Sequence, residues 1–406
     1  MTLRMHLSAR RLVSTAAVCF ASALVVGQQG PPGGGRRGGG PGGGVPVTGL
    51  TPADRQAFDE GNRTFGKQYS MAEGLGPVFN EESCAECHRN GGGTNRTVTR
   101  FGRVDEAGRF DALPELGGSL VQSQGIGSVT TQDGTHVFRG ERTPPEATVR
   151  AQRRSLSLKG LGFVDAVPDE AWLALAAAER AADPATAGRA HLVFDAATGV
   201  TRVGKFGWKA QVPSLLGFAG DALLNEIGIT SPRFRDEVCP QGDCLALGFN
   251  PAPALNDDGH DASALNDFMT MLAPPPAPAA GDLADAGGRL FTDLGCASCH
   301  RVELQAGPSR FTALNRAAFR PYSDFLLHDM GSLGDGIAQG QATPNEIRTA
   351  PLWGLGDAGR LLHDASAGTI DEAIGRHDGQ ALATRDRYNG LDQARRELLL
   401  AFLRSL

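Results

Sequence analysis

The 406-residue sequence predicts a mainly α chain of two tandem, related domains, the first enlarged by an insertion that carries a small β-hairpin. Three observations lead there. A C-x-x-C-H phrase occurs twice, at Cys84-Ala85-Glu86-Cys87-His88 and at Cys296-Ala297-Ser298-Cys299-His300. Each copy is followed by a proline-led segment, Pro213 to Glu226 in one half and Pro351 to Asp364 in the other. Each half then closes on one apolar phrase: Leu265, Phe268, Met269 and Leu272 match Leu399, Phe402, Leu403 and Leu406, at spacings that share one helix face. The same order of landmarks in both halves is the signature of duplication. Ahead of each C-x-x-C-H stands Gly-x-x-Phe, Gly76 to Phe79 and Gly288 to Phe291, with the Phe five residues before the first Cys.

The individual elements follow in chain order. Residues 1–27 read as a signal peptide: Arg4, Arg10 and Arg11 precede an apolar run from Leu12 to Val26, too short to span a bilayer. The mature chain is therefore expected beyond the cytoplasmic membrane, in the periplasm or further out. Residues 28–50 are a Gly/Pro-rich flexible linker. The first domain is expected over 51–273, with a helix starting at the capping phrase Thr51-Pro52-Ala53-Asp54. Its insertion covers about 100–185, where Asp133-Gly134 between Thr/Val-rich runs predicts a hairpin within Ser128 to Phe138. A stiff proline-rich spacer at 274–280 leads to the second domain, 281–406, which opens on a helix from Asp282 to Leu294. The net charge of −6 gives no basic footprint, which excludes a nucleic-acid partner, and no later stretch is apolar enough to be membrane-spanning.

Two cysteines three residues apart reach both vinyl groups of one porphyrin, and the next histidine then lies under the iron. The two motifs therefore predict two covalently bound haem c groups, attached at Cys84, Cys87, Cys296 and Cys299, with His88 and His300 as axial ligands. A thioredoxin-like pair would need a βαβ context, and a zinc site would need the two motifs close together. His377, in Gly375-Arg376-His377-Asp378-Gly379, is the candidate sixth ligand of the second haem; a surface histidine at a helix end is the alternative. His363 either lines that pocket or faces the other haem. At the corresponding place the first half has Asn225, a poor iron ligand, and no Met lies between Met71 and Met269. His136 and His191 remain as structural or ligating residues. An open first iron beside a closed second one favours an enzyme over a wire. Cys239 and Cys244 are expected to form a local disulfide; a free dithiol is the alternative.

The chain resembles the bacterial di-haem oxidoreductases, also labelled thiol oxidoreductases, relatives of the di-haem cytochrome c peroxidases and of the MauG type. The resemblance runs from about Thr51 to Leu406 and rests on Gly74 to Asn80, Leu158 to Pro168, Gly204 to Ala210, Leu326 to Gly331 and Arg348 to Gly356. It implies two cytochrome c-like domains whose haems face a shared interface, a small oxidant such as peroxide, and a soluble electron donor or protein substrate. His377 falls where the relatives place the distal ligand of the C-terminal haem. Their inter-haem aromatic maps near Asn225, so Trp208 and Trp353 are the substitutes, while His328 and His363 are pocket candidates. Their peroxide-splitting acid has no clear counterpart; Gln122 and Glu141 are the candidates. The resemblance also implies Ca2+ at the domain interface. The rival functions are a non-catalytic electron-transfer di-haem cytochrome c and a thiol oxidoreductase acting through Cys239 and Cys244.

Overall fold

Four helices, crossing in two pairs, frame the molecule. The helix Pro52–Phe65 begins at its expected cap, where the Thr51 hydroxyl accepts the Asp54 N–H and Pro52 fills the first helical position. It crosses the helix His260–Met271 at Gly61, where a Cβ would fall 2.1 Å from the Ala264 carbonyl oxygen and 2.8 Å from Phe268 Cβ. The helix Asp282–Asp293 crosses Gln393–Ser405 in the same way at Gly287, where a Cβ would fall 2.4 Å from both the Leu398 oxygen and Phe402 Cβ. Only glycine permits that approach. Phe65 packs on Phe268 at 4.8 Å and Phe291 on Phe402 at 5.5 Å, so the aromatic contact recurs too.

This alignment corrects one sequence expectation. The counterpart of Phe291 is Phe65, not Phe79: Gly61-x-x-x-Phe65 matches Gly287-x-x-x-Phe291. Phe79 lies in a two-residue strand, Val78–Phe79, paired with Gln124–Gly125. The chain between helix and first Cys is longer in the first half, so a fixed five-residue spacing lands on a loop. Gly61→Leu and Gly287→Leu are each expected to destabilise by about 1–3 kcal/mol or more through overpacking. Gly248→Ala, whose Cβ would meet nothing within 4 Å, is the neutral control, and thermal unfolding midpoints check all three.

The computed structural model describes residues 43–253, 255–276 and 281–406, with backbone alone at 282–284. The signal peptide, most of the linker and the end of the proline spacer lie outside the described residues. The last part of the expected flexible linker is docked: Val47 N–H donates to the Met271 carbonyl and Ala273 N–H to that of Val45, both at 2.8 Å. Val45-Pro46-Val47 supplies apolar side chains and backbone partners that the glycine runs before it lack.

A second correction concerns fold class. The protein is mixed, 36% helical and 17% strand, rather than mainly α. The strands make six small sheets among the described residues. In the insertion, Thr97–Val104 pairs with both Phe110–Asp111 and Val149–Arg154. The expected hairpin is there, Gly127–Thr131 against Gly134–Phe138. A further hairpin, His191–Asp195 against Val200–Gly204, follows it, and Leu327–Asp329 pairs with Glu346–Arg348 in the second half. These short strands alternate too briefly for periodicity to separate them from loop. They do two things for the interior: Val149–Arg154 carries two arginines inward, and the chain after Val200–Gly204 carries Lys205 and Trp208.

The described residues form one compact unit. Its main apolar cluster joins Phe58, Phe65 and Phe268 of the first half to Phe311, Phe325 and Trp353 of the second. A buried ion network crosses the same boundary, with Asp335 accepting from Arg153 Nε at 2.6 Å and from Lys209 Nζ at 2.9 Å. Each charge there needs its partner, since an orphaned buried charge costs several kcal/mol. Among the described residues no helix is long and apolar enough to cross a membrane.

Candidate functional site: two cavities with a common wall

Each C-x-x-C-H phrase opens onto its own cavity, of ≈ 200 Å³ in the first half and ≈ 210 Å³ in the second. Cys84–Cys87 is a single helical turn capped by the Ser83 hydroxyl, and it presents Cys84, Cys87 and His88 to the first cavity. Cys296, Cys299 and His300 line the second. Burial pushes the Cys84 and Cys87 thiols up to about 12 and Cys296 up to about 11. A dithiol redox pair needs the opposite shift, toward thiolate. Burial also pulls His88 and His300 down to about 4, so both imidazoles are neutral at pH 7, the form that binds metal.

In the second cavity two imidazoles face each other. His300 Nδ1–H donates to the Tyr322 carbonyl at 3.0 Å and His377 Nδ1–H to that of Ala373 at 2.8 Å. A carbonyl can only accept, so each ring keeps its Nε2 lone pair free. The ring centroids are 6.4 Å apart. Two metal–nitrogen bonds of ~2 Å plus two ring radii of ~1.1 Å span about the same distance, so one metal ion fits between the rings. The first cavity has one imidazole among its described lining residues, His88. His136 instead stacks on Phe249, and His191 bonds the Lys209 carbonyl at 2.8 Å.

The first cavity has something the second lacks. The helix Leu215–Ala222, capped by Ser214, widens into a π turn over Leu223–Ile227. Such turns concentrate at functional sites, and here the wider turn brings two carboxyls five residues apart, Asp221 and Glu226, to one cavity. Burial raises both. It lifts Glu226 to about 7 against the opposing pull of Arg100 and of the Asn80 amide, which donates to Glu226 Oε2 at 3.0 Å. Between its ordinary value of 4.5 and about 7, folded Glu226 keeps a proton the unfolded chain has lost. Stability drawn from this site is therefore full below that window and falls as pH rises through it. A carboxyl poised near neutrality can both take and give a proton.

Sequence reasoning missed Glu226. It sat in the landmark Leu223-Leu224-Asn225-Glu226, where Asn225 drew attention as the counterpart of a ligand. Asn225 in fact turns back to Asp221, donating to its Oδ1 at 2.9 Å. The available signal was a pair of carboxyls, Asp221 and Glu226, near the end of a mainly apolar helix. Gln122 and Glu141 are buried but line neither cavity; they stand behind Glu226.

Four residues line both cavities: Trp208, Arg154, Arg348 and Pro351. Trp208 is buried, its Nε1–H donating to the Arg154 carbonyl at 2.9 Å, and it meets the His363 ring edge-on at 6.1 Å. His363 lines the second cavity, whereas Trp353 reaches neither and packs on Phe319. His328 also lines the second cavity; burial opposes its charge, but the Asp324 carboxylate at 2.8 Å wins and holds it well above the ordinary histidine range. Cys239 and Cys244 are bonded to each other, outside both cavities. Arg348 is 3% exposed, and its side-chain hydrogen bonds go to the carbonyls of Gly207 and Thr349. Arg154 Nε and Arg153 Nη2 are buried without a partner. Arg153 has the Asp335 carboxylate, but Arg154 and Arg348 pair with no carboxylate among the described residues; enclosed guanidinium groups of that kind call for anions, and the propionates of porphyrins in the two cavities match that demand. The residues present fit two haems.

Two such cavities, each entered by C-x-x-C-H and separated by one tryptophan and two arginines, define a two-centre haem redox protein. The chain belongs to the family described as "Di-haem oxidoreductase, putative peroxidase", whose model matches residues 145–406. Among solved structures it is similar to hydrazine synthase of Kuenenia stuttgartiensis, at 14% identity over 98% of this chain and 100% of that one, TM-score 0.39. It is similar to a MauG-like protein associated with microbial copper homeostasis, at 16% identity over 90% and 92%, TM-score 0.39. The diheme peroxidase BthA of Burkholderia thailandensis matches at 15% identity over 89% and 87%, TM-score 0.39. These likenesses are remote, and the assignment rests on the family model. No curated protein matches the chain.

Proposed function

We propose that this di-haem oxidoreductase is an exported c-type peroxidase that reduces hydrogen peroxide in the first cavity and draws electrons through the second. The observation that carries the reading is the contrast between the cavities: one imidazole with a near-neutral carboxyl, Glu226, in the first, and two facing imidazoles in the second. When bound, the haems would supply redox-active iron, peroxide chemistry being expected in the first cavity and electron storage in the second.

The chain's residues do the rest. Cys84 and Cys87, and likewise Cys296 and Cys299, each add an S–H across a vinyl group and so fix one porphyrin per motif. His88 would hold the haem of the first cavity, and His300 with His377 that of the second. Glu226 would accept a proton from hydrogen peroxide in the first cavity and return it to the oxygen that leaves as water. Two electrons and two protons complete the reduction to two waters. Trp208, in both walls, is the path between cavities, and Arg154 and Arg348 neutralise the carboxylates flanking it. A soluble donor or a protein substrate replenishes the electrons. The matched glycine crossings support two cytochrome c-like domains over 51–273 and 281–406, and the sequence of residues 1–27 supports export.

Two measurements test this. The mass of mature protein made with a working cytochrome maturation system should exceed that of the polypeptide by two porphyrins. The EPR spectrum of the oxidised protein should contain one low-spin iron and one iron that binds cyanide. Two low-spin irons that refuse both cyanide and peroxide would leave only an electron carrier.

A further inference from the structure

Gln122 and Glu141 touch neither cavity, yet both are buried, at 1% and 9% exposure, and every bond they make leads toward Glu226 or away from it to the surface. From the inside outward, Asn80 Nδ2 donates both to Glu226 Oε2 at 3.0 Å and to Gln122 Oε1 at 3.2 Å. Gln122 Nε2 donates to the carbonyl of Asn225, the neighbour of Glu226, at 2.6 Å. The Gln122 N–H donates to Glu141 Oε2 at 2.8 Å, and the Gln241 N–H to Glu141 Oε1 at 2.6 Å. Gln241 lies inside the six-residue loop closed by the Cys239–Cys244 disulfide. It is held there in a left-handed conformation, φ 50°, with its side chain bonded to the Leu116 carbonyl and the Arg142 N–H. Both carboxylate oxygens of Glu141 and both ends of the Gln122 amide are used. An unbroken chain of hydrogen bonds therefore joins a surface disulfide to the carboxyl in the first cavity.

We propose that Gln122 and Glu141 are positioning residues for Glu226, and that the Cys239–Cys244 loop is the outer anchor that holds them. This rests on the reading of Glu226 as the proton-transferring group. The Asn80 amide is held at both ends by the 122–123 segment, its Oδ1 accepting the Ser123 N–H at 3.0 Å and its Nδ2 donating to Gln122 Oε1, so its aim at Glu226 follows the placement of that segment. Gln122 is fixed in turn by Glu141, and Glu141 by a loop that the disulfide keeps in a conformation a free chain avoids. The Asn80 bond favours the carboxylate form of Glu226. The charged groups around Glu226 are Arg100 on the neighbouring strand, Asp221 on its own helix, and the Glu81–Arg96 pair beside Asn80. A change at Gln122 or Glu141 therefore reaches Glu226 through the Asn80 amide and through the Asn225 carbonyl.

The test is the rate of cyanide binding to the oxidised holoprotein as a function of pH. Hydrogen cyanide must surrender a proton to bind, and the profile reads the group that accepts it. Glu141→Gln puts an NH2 against one of two N–H donors and breaks the chain at that point. Gln122→Met removes both side-chain bonds from the other side. The double variant Cys239→Ala/Cys244→Ala frees the anchor. Each is expected to retain two haems and move the limb of the profile to higher pH, by about one unit for Glu141→Gln and Gln122→Met, the size of a lost hydrogen bond to a charged group. The cysteine variant should move it in the same direction by less. A profile for Glu141→Gln or for the cysteine variant that superposes on that of the unaltered protein overturns the proposal. Glu226→Gln separates the two levels: if the limb survives in that variant, the reading of Glu226 itself fails.

Discussion

Glu226→Gln is expected to lower kcat/KM for hydrogen peroxide by about 10²–10⁴-fold, the usual worth of a positioned acid–base group, with both haems retained. The substitution keeps the shape and the bond to the Asn80 side chain but cannot accept a proton. The pH dependence sharpens the expectation. Burial holds Glu226 at about 7, so below that value the group is protonated and cannot act as base. Activity of the unaltered protein should rise as pH climbs through about 7, and that limb should vanish in Glu226→Gln. Steady-state peroxide turnover from pH 5 to 9 measures both. A flat profile in the unaltered protein, or unchanged turnover in the variant, would remove Glu226 from the reaction.

His377→Gly should convert the second iron, and only the second, from low spin to high spin. The imidazole is held by the Ala373 carbonyl and lies opposite His300, with ring centroids 6.4 Å apart. His363 lines the same cavity, but its ring is occupied edge-on with Trp208. Loss of a nitrogen donor should also raise the midpoint potential of that haem, by part of the ~0.8 V range over which axial ligands act. EPR together with a spectroelectrochemical titration checks the pair of effects. An unchanged second signal would show that His377 is not a ligand.

The two haem motifs, the two closing helices and the disulfide were legible because each is a local pattern: five consecutive residues, four apolar positions on one face, two cysteines in a short loop. His377 was picked out through the order of the repeat, and the fold sets its ring opposite that of His300. Glu226 was not, since its meaning depends on a π turn and on the burial that lifts its affinity for a proton, neither of which a sequence spacing encodes. Gln122 and Glu141, offered from sequence as acid–base candidates, are buried but line neither cavity. Trp208 and Trp353 looked equivalent in sequence; the fold turns Trp208 into the common wall and Trp353 toward Phe319. Apart from the hairpin that Asp133-Gly134 marked, the strands of the insertion escaped notice because two to eight residues carry too little periodicity. The mistaken pairing of Phe79 with Phe291 has the same root. A motif was aligned by distance from cysteine, when what recurs is the glycine at which helices touch.

Those helix contacts also bear on the order in which the chain acquires its shape. The partners that meet at Gly61 are separated by roughly 200 residues, while those that meet at Gly287 are only about half as far apart; the difference in closure entropy is small, ~0.6 kcal/mol per doubling. The kinetic difference is larger, because a helix made early must wait for a partner made much later. During that wait the first cysteine pair lies on an unclosed chain, accessible to whatever modifies it, and the first half can be sealed only after most of the polypeptide has emerged.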